Sequence, residues 1–377
     1  MTSLLGGSNT SGLSISSTDN RVDSNVAFTI SSTTQDLAVS KYSSTELLVI
    51  LTSASKTLRP NSTYKIELVS VTIDGNTLTS GDYYIFKTEK TKTFSQTNLI
   101  ANSITYGANL VDSNLANAWG IALNPNTCYF WISSNHSSTS VVYDSNGTQI
   151  ITPVRIPSPS SSSGGAPSGQ IYNSTQGFII QGTGIPANFI FVGEDGVVSA
   201  WNSGTAAGAR SVVTATGVYK GVALAADGGA NFLYAANFNT GKIDVYDSNF
   251  NLVTTKPFVD TSIPTNFAPF NIKNLNGLLY VSYLKQNSLK ADDVSGAGNG
   301  YIDIFNPNGA LVKRFVSQGA LNSPWGMVPA PANFGDLSMA ILVGNFGDGK
   351  INTYDISGNY IGQLKNVADN AITIDGL

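Results

Sequence analysis

Ile302-Asp-Ile-Phe-Asn-Pro-Asn-Gly309 is an alternating strand that ends in an aromatic residue, followed by a turn signal. The same pattern occurs in Val141-Val-Tyr-Asp-Ser-Asn-Gly147 and Val198-Ser-Ala-Trp-Asn-Ser-Gly204. It returns in Ile243-Asp-Val-Tyr-Asp-Ser-Asn249 and Ile351-Asn-Thr-Tyr-Asp-Ile-Ser-Gly358. The aromatics fall at 143, 201, 246, 305 and 354, a period of roughly 50 residues, which marks a repeat architecture. A second marker precedes each: Ala118-Trp-Gly-Ile-Ala-Leu, Pro167-Ser-Gly-Gln-Ile, Tyr219-Lys-Gly-Val-Ala-Leu, Ala268-Pro-Phe-Asn-Ile and Ser323-Pro-Trp-Gly-Met-Val. An apolar run lies between each pair of markers: Tyr129–Ile132, Phe189–Val192, Phe232–Ala235, Leu279–Val281 and Ala340–Val343. Each unit therefore reads as four antiparallel strands, a β-propeller blade. Glycine on the inner strand permits close backbone approach near the axis. The aromatic of the third strand is expected to pack between blades.

Five units are complete, and Ile374-Asp-Gly-Leu377 reads as the lead-in to a sixth inner strand that is incomplete in this chain. Gln96-Thr-Asn-Leu-Ile-Ala101 is expected to close the ring as the outer strand of its last blade. A ring missing most of one blade exposes strand edges, so the expectation is a fragment, a ring completed by another chain, or a genuine five-bladed ring. The expected domains are 1–94 and 95–377. Residues 1–94 show short alternating strands, clearest at Val26–Ile30, Glu46–Leu51, Tyr64–Val69 and Tyr83–Thr88. They predict an immunoglobulin-like β-sandwich built without a disulfide. The fold class is all-β throughout.

Composition narrows the function. Charged residues are 12% of the 377, and the net charge is −4. No basic stripe points to nucleic acid, and no apolar run is long enough to span a membrane as a helix. Hydroxyl and amide side chains solvate the surface instead, which suits an extracellular, cell-surface or particle-surface protein. The single Cys128 lies in a predicted apolar strand, Cys128-Tyr-Phe-Trp-Ile132, and is expected to be a small buried residue. The single His136 lies in a polar run and reads as a solvated loop residue. One histidine excludes multi-histidine zinc sites and leaves a catalytic reading without a convincing general base.

The units resemble the NHL-type six-bladed propellers, and within them an uncharacterised family of exported bacterial proteins. The matching stretches include Leu115-Ala-Asn-Ala-Trp-Gly-Ile-Ala-Leu123, Phe191-Val-Gly-Glu-Asp-Gly196 and Leu233-Tyr-Ala-Ala-Asn-Phe-Asn-Thr-Gly-Lys-Ile-Asp244. Asp292-Asp-Val-Ser-Gly-Ala-Gly-Asn-Gly300 and Asn322-Ser-Pro-Trp-Gly326 belong to the same set. In that family the chain continues past the Asp-Gly-Leu motif into a final blade. The family carries no established activity to transfer. Leu58-Arg-Pro-Asn-Ser-Thr-Tyr64 followed by Gly75-Asn-Thr-Leu78 resembles bacterial immunoglobulin-like surface modules.

The loops that leave the second strands should share one mouth with the entries to the inner strands. They place Asn135, Glu194, Asp195, Asn237 and Asn345 there, with Asp292 and Asp293 on the long loop Lys285–Asn299. These are the expected ligand-binding residues. Calcium takes six to eight oxygen ligands, so Glu194, Asn237 and Asn345 form a candidate calcium set of the kind used by lactonase-type propellers. The bland alternative is that Asn and Asp serve the turns beside glycine. The Ser-rich run Pro157–Gly169 reads as a flexible surface loop.

Three functions remain open. The first is a non-catalytic surface module that binds a protein or glycan. The second is a calcium-dependent lactonase or esterase. The third is an assembling subunit whose open blade is completed by a neighbour. The residues favour a non-enzyme.

Overall fold

The computed structural model describes residues 93–374 except 206–207, together with the backbone of eight strands within residues 13–87. The chain divides into two compact units: 1–92 with 331–338, and 93–330 with 339–377. In the first, Phe28–Thr29, Leu13–Ser17, Thr63–Leu68 and Tyr83–Lys87 form one antiparallel sheet in that order. Leu37–Lys41 pairs with Leu47–Leu51, and Ser70–Ile73 with Asn76–Thr79. The rest of the expected immunoglobulin-like domain lies outside the described residues.

The second unit is a five-bladed β-propeller. The inner strands are Ala118–Asn124, Pro167–Tyr172, Tyr219–Asp227, Phe267–Leu275 and Pro324–Pro329. The second strands are Tyr129–Ser134, Phe189–Gly193, Ala230–Asn237, Leu278–Lys285 and Ile341–Asn345. Thr139–Tyr143, Val197–Trp201, Lys242–Tyr246, Tyr301–Phe305 and Ile351–Tyr354 come third. Val154–Arg155, Arg210–Thr214, Leu252–Val253, Leu311–Ser317 and Tyr360–Gln363 are outermost. Every blade is a four-stranded antiparallel sheet in sequence order.

The core lies between blades. Blades one and two meet through Trp131, Val142, Phe189 and Phe191. Blades two and three meet through Ile190, Val192, Val222 and Leu233. Tyr234, Ile272, Leu279 and Val281 join three to four, and Tyr280, Ile302, Met327 and Val343 join four to five. Each such buried side chain contributes roughly 1.5–3 kcal/mol. The third-strand aromatics behave as expected: Trp201, Tyr246, Phe305 and Tyr354 each pack in the core shared with the preceding blade.

The turn after the third strand explains the Asp that follows the aromatic. Asp144 Oδ1 accepts from the backbone N–H of Asn146 and Thr148, both at 2.8 Å. Asp247 and Asp355 repeat this clasp in blades three and five. Gly147, Gly309 and Gly358 take the left-handed conformation that closes the turn.

Three local expectations are corrected. Cys128 is exposed and sits at φ +57°. Its N–H donates to the Asn124 carbonyl, so it belongs to the hairpin turn before the apolar strand and not to the strand. The Ser-rich run is not a free loop: Pro157–Ser158 pairs with Ser161–Gly164 as a hairpin, and Pro167–Gly169 begins the second inner strand. Gln96–Ala101 joins no blade; Ile100–Ala101 pairs in parallel with Leu110–Val111, while Phe94 N–H donates to the Lys365 carbonyl. His136 is exposed, as expected. Of the lead-in expected for a sixth strand at 374–377, Ile374 donates its N–H to the Gly349 carbonyl, and residues 375–377 lie outside the described residues. Among the described residues no helix is long and apolar enough to cross a membrane.

Candidate functional site

Each inner strand carries a register shift near its start: Ala118/Ile121, Pro167/Gln170, Tyr219/Gly221, Pro269/Asn271 and Pro324/Met327. A bulge re-aims the side chain it carries. The re-aimed residues, one per blade, are Trp119, Ser168, Lys220, Phe270 and Trp325. Four of them meet at the axis. The Trp119 ring lies 6.0 Å from Phe270 and 5.7 Å from Trp325, and Phe346 lies 6.1 Å away. Phe238 closes against Phe270 at 4.9 Å.

Lys220 is enclosed by this aromatic plug with its side chain 1% exposed. Its Nζ lies 4.9 Å from the Trp119 ring centre and 5.2 Å from that of Phe270. Desolvated cation–π contacts of this kind are worth about 2 kcal/mol. The ammonium pairs with Glu194 Oε1 and lies 3.5 Å from Asp292 Oδ1. The other Glu194 oxygen accepts from Asn135 Nδ2 at 2.8 Å, and that amide also donates to the Pro167 carbonyl. A buried charge survives if it is paired and its remaining hydrogen-bonding capacity is met, and here two rings and two carboxylates surround it.

The structure therefore joins Asn135, Glu194 and Asp292 through a residue that the sequence reading did not single out. Lys220 stands where its counterparts are Trp, Ser, Phe and Trp, and comparing that one position across the units would have found it.

The other expected site residues serve their own blades. Asn237 Oδ1 accepts from Val218 N–H at 3.3 Å, and its amide donates to Asp244 Oδ2 at 2.9 Å. Tyr219 O–H donates to the same carboxyl oxygen at 2.8 Å. Asn345 donates to the Ala320 carbonyl at 2.9 Å, and its Oδ1 is buried with no partner among the described residues. Asp195 accepts from Ala166 and Val197 N–H; burial raises its carboxyl above the ordinary carboxylate range. Asp293 Oδ2 accepts from Ser323 Oγ and from Ser295 Oγ, so the Asp292–Asp293 pair diverges. The long loop is tied down at Gln286↔Asp293 and by Val294 N–H to the Lys285 carbonyl. Among the described residues no group of three His, Cys, Asp or Glu side chains is placed to hold a metal ion.

No model of a known protein family matches the chain. Curated relatives do, among them two long matches from one virus. Uncharacterized protein R648 of Acanthamoeba polyphaga mimivirus is 35% identical over 293 residues, covering 74% of this chain and 72% of that protein. Uncharacterized protein L690 of the same virus is 34% identical over 294 residues, covering 74% and 76%. These relatives are viral, and the resemblance to exported bacterial proteins is not shown by them. Among solved structures, a protein of unknown function from Bacteroides thetaiotaomicron aligns over 93% of this chain and 78% of its own, at 14% identity and a TM-score of 0.47. The identity and coverage of the two viral relatives place this chain in the family of mimivirus proteins to which R648 and L690 belong.

Proposed function

We propose that the chain is a non-catalytic binding or structural module of an extracellular, cell or particle surface. Its propeller serves contacts with a protein or glycan, or assembly into a layer, fibre or particle coat. The observation that carries this reading is the Lys220–Glu194 pair inside the aromatic plug. Both Glu194 oxygens are engaged, and Asn135, Asn237 and Asn345 are bonded into the fold. The mouth is thus a built surface, edged by the partly exposed Trp119 and Trp325 and by the exposed Asp292. A chain with 12% charged residues suits a long-lived exposed protein, and membership of a viral family favours a particle.

Two assays on one preparation test this. An immobilised-glycan screen should retain the protein, and Trp119→Ala should release it. Hydrolysis of lactone and ester substrates should stay at background with and without calcium. Calcium-dependent turnover that Glu194→Gln removes would overturn the reading. It would favour the alternative, a calcium-dependent hydrolase, for which the convergence of Glu194, Asn135 and Asp292 is the supporting observation. In that alternative the cation would have to displace the Lys220 ammonium from Glu194.

A further inference from the structure

Lys220 is a primary amine held against carboxyl groups inside a shell of rings, and an ion pair so placed is one dehydration away from an amide. Its side chain is 1% exposed, with Trp119 and Phe270 at its flanks. Rings at this range keep bulk water from Nζ. Two carboxylates reach it. Glu194 Oε1 is in direct contact, and Asp292 Oδ1 lies 3.5 Å away.

The two carboxylates are held for different tasks. Glu194 follows the strand Phe189–Gly193, and its Oε2 accepts from Asn135 Nδ2 at 2.8 Å, which leaves Oε1 turned to the amine. Asp292 stands on a loop built around Asn287, whose Oδ1 accepts from the N–H of Leu289 at 3.1 Å and of Ala291 at 3.2 Å. Asn287 N–H donates to the Asp292 carbonyl at 2.9 Å, and Asn239 Nδ2 to the Lys290 carbonyl at 3.3 Å. Asp293 N–H donates to Asp292 Oδ1 at 3.1 Å. That donor sits where negative charge develops when Cγ is attacked, and it leaves Oδ2 as the departing oxygen. The Asp292 side chain is 63% exposed, so a released water has a way out.

We propose that Lys220 Nζ and Asp292 Cγ join in an isopeptide bond, with Glu194 relaying the protons. The ammonium gives one proton to Glu194 Oε1, which passes it to Asp292 Oδ2. The Nζ lone pair attacks Cγ, and Oδ1 takes up negative charge facing the Asp293 N–H. A second proton leaves Nζ by the same relay as the Cγ–Oδ2 bond breaks. Oδ2 departs as water, and Glu194 ends as the carboxylate it began as. The sum is ammonium plus carboxylate to amide plus water, with nothing oxidised or reduced and no co-reactant. Groups held together by a fold act at effective molarities of about 10⁵–10⁸ M, far above that of the surrounding water, which turns the balance towards the amide. The bond ties the loop 285–299 to the inner strand Tyr219–Asp227 at the rim of the mouth. It uses residues of the mouth but not the surface function proposed above: a failed glycan screen leaves the mass of the chain untouched, and an unlinked chain leaves the screen untouched.

Intact mass spectrometry of the denatured 377-residue protein tests this. The expected mass is one water below that of the sequence, with the initiator methionine accounted for. After trypsin, residues 211–242, uncut at Lys220, should travel joined to residues 291–313. Lys220→Arg, Glu194→Gln and Asp292→Ala should each keep the full sequence mass. Asp292→Ala alters an exposed loop residue, so it remains informative if a variant of the enclosed pair fails to fold. Asp292→Asn should form the same amide and lose ammonia in place of water. Glu194→Gln and Lys220→Met both leave the loop unlinked, so the difference in stability between those two reads the ion pair alone. A parent chain at full sequence mass overturns the proposal. So does a water loss that survives Lys220→Arg, the mark of a succinimide at a step such as Asp195-Gly196, or a link from Lys220 to Glu194 in place of Asp292.

Discussion

The Nζ of Lys220 is held between the ring of Trp119, 4.9 Å away, and the carboxylate of Glu194. Removing one partner of so enclosed a pair leaves the other uncompensated, and breaking buried pairs costs about 3–5 kcal/mol. Glu194→Gln should therefore lower the urea midpoint markedly, because Lys220 keeps only the more distant Asp292. Lys220→Met retains the packing against both rings and returns Glu194, 28% exposed, to water. It should cost far less. Equal losses from the two substitutions would show that packing, not pairing, carries the plug.

Gly169 and Gly326 occupy equivalent positions with opposite surroundings. Alanine at 169 would press its Cβ into Gly221 backbone at 2.9 Å, where no flexible side chain can yield. Over-packing of this kind costs roughly 1–3 kcal/mol. Alanine at 326 meets nothing within 4 Å among the described residues and should change stability by about 0.5 kcal/mol or less. Thermal unfolding of the two variants measures the difference, and comparable destabilisation would mean that the blade-five inner strand is as tightly covered as the others.

The blades were legible because their signals are local. An alternating strand, an aromatic and an Asp-x-Asn-Gly turn need no partner elsewhere in the chain to be recognised. The positions of Asn135 and Glu194 were legible for the same reason, since each marks the exit of a second strand. Lys220 was not. Its neighbours Trp119, Glu194, Phe270 and Asp292 come from three other blades, and only closure around the axis brings them together. Cys128 was misjudged by one position, since a residue abutting an apolar strand reads as part of it until the turn's left-handed geometry is known.

That correction is open to a simple check. The thiol of Cys128 is exposed in the native fold. A chromogenic disulfide reagent should titrate one thiol per chain without denaturant, at a rate close to that in urea. A native rate slower by about a hundredfold or more, as expected when reaction waits on unfolding, would return Cys128 to the core.

Arg314 clasps Asp260 at 2.6 Å and pairs with Asp303, tying the linker between blades three and four to the third strand of blade four. Asp303 is fully buried, and its Oδ2 finds no partner among the described residues. Burial pushes its carboxyl up to about 6, although Arg314 pulls the other way. Asp260 is also raised by burial, but bonds from Ser262 and Arg314 outweigh this and hold it below the ordinary range. The two groups therefore act in opposite senses. Because the folded-state value of Asp303 exceeds the unfolded one, the native protein takes up that proton first. Its contribution to stability rises as pH falls through 6 and levels off below the ordinary 3.8. The contribution of Asp260 is present above that range and is lost as pH falls beneath it. The chemical-denaturation midpoint of Asp303→Asn, compared with that of the parent at pH 7 and pH 5, should lose the gain that the parent shows on acidification, a difference of a few kcal/mol at most. A parent that weakens steadily from pH 7 to pH 5, with the variant following in parallel, would mean that Arg314 keeps Asp303 ionised throughout.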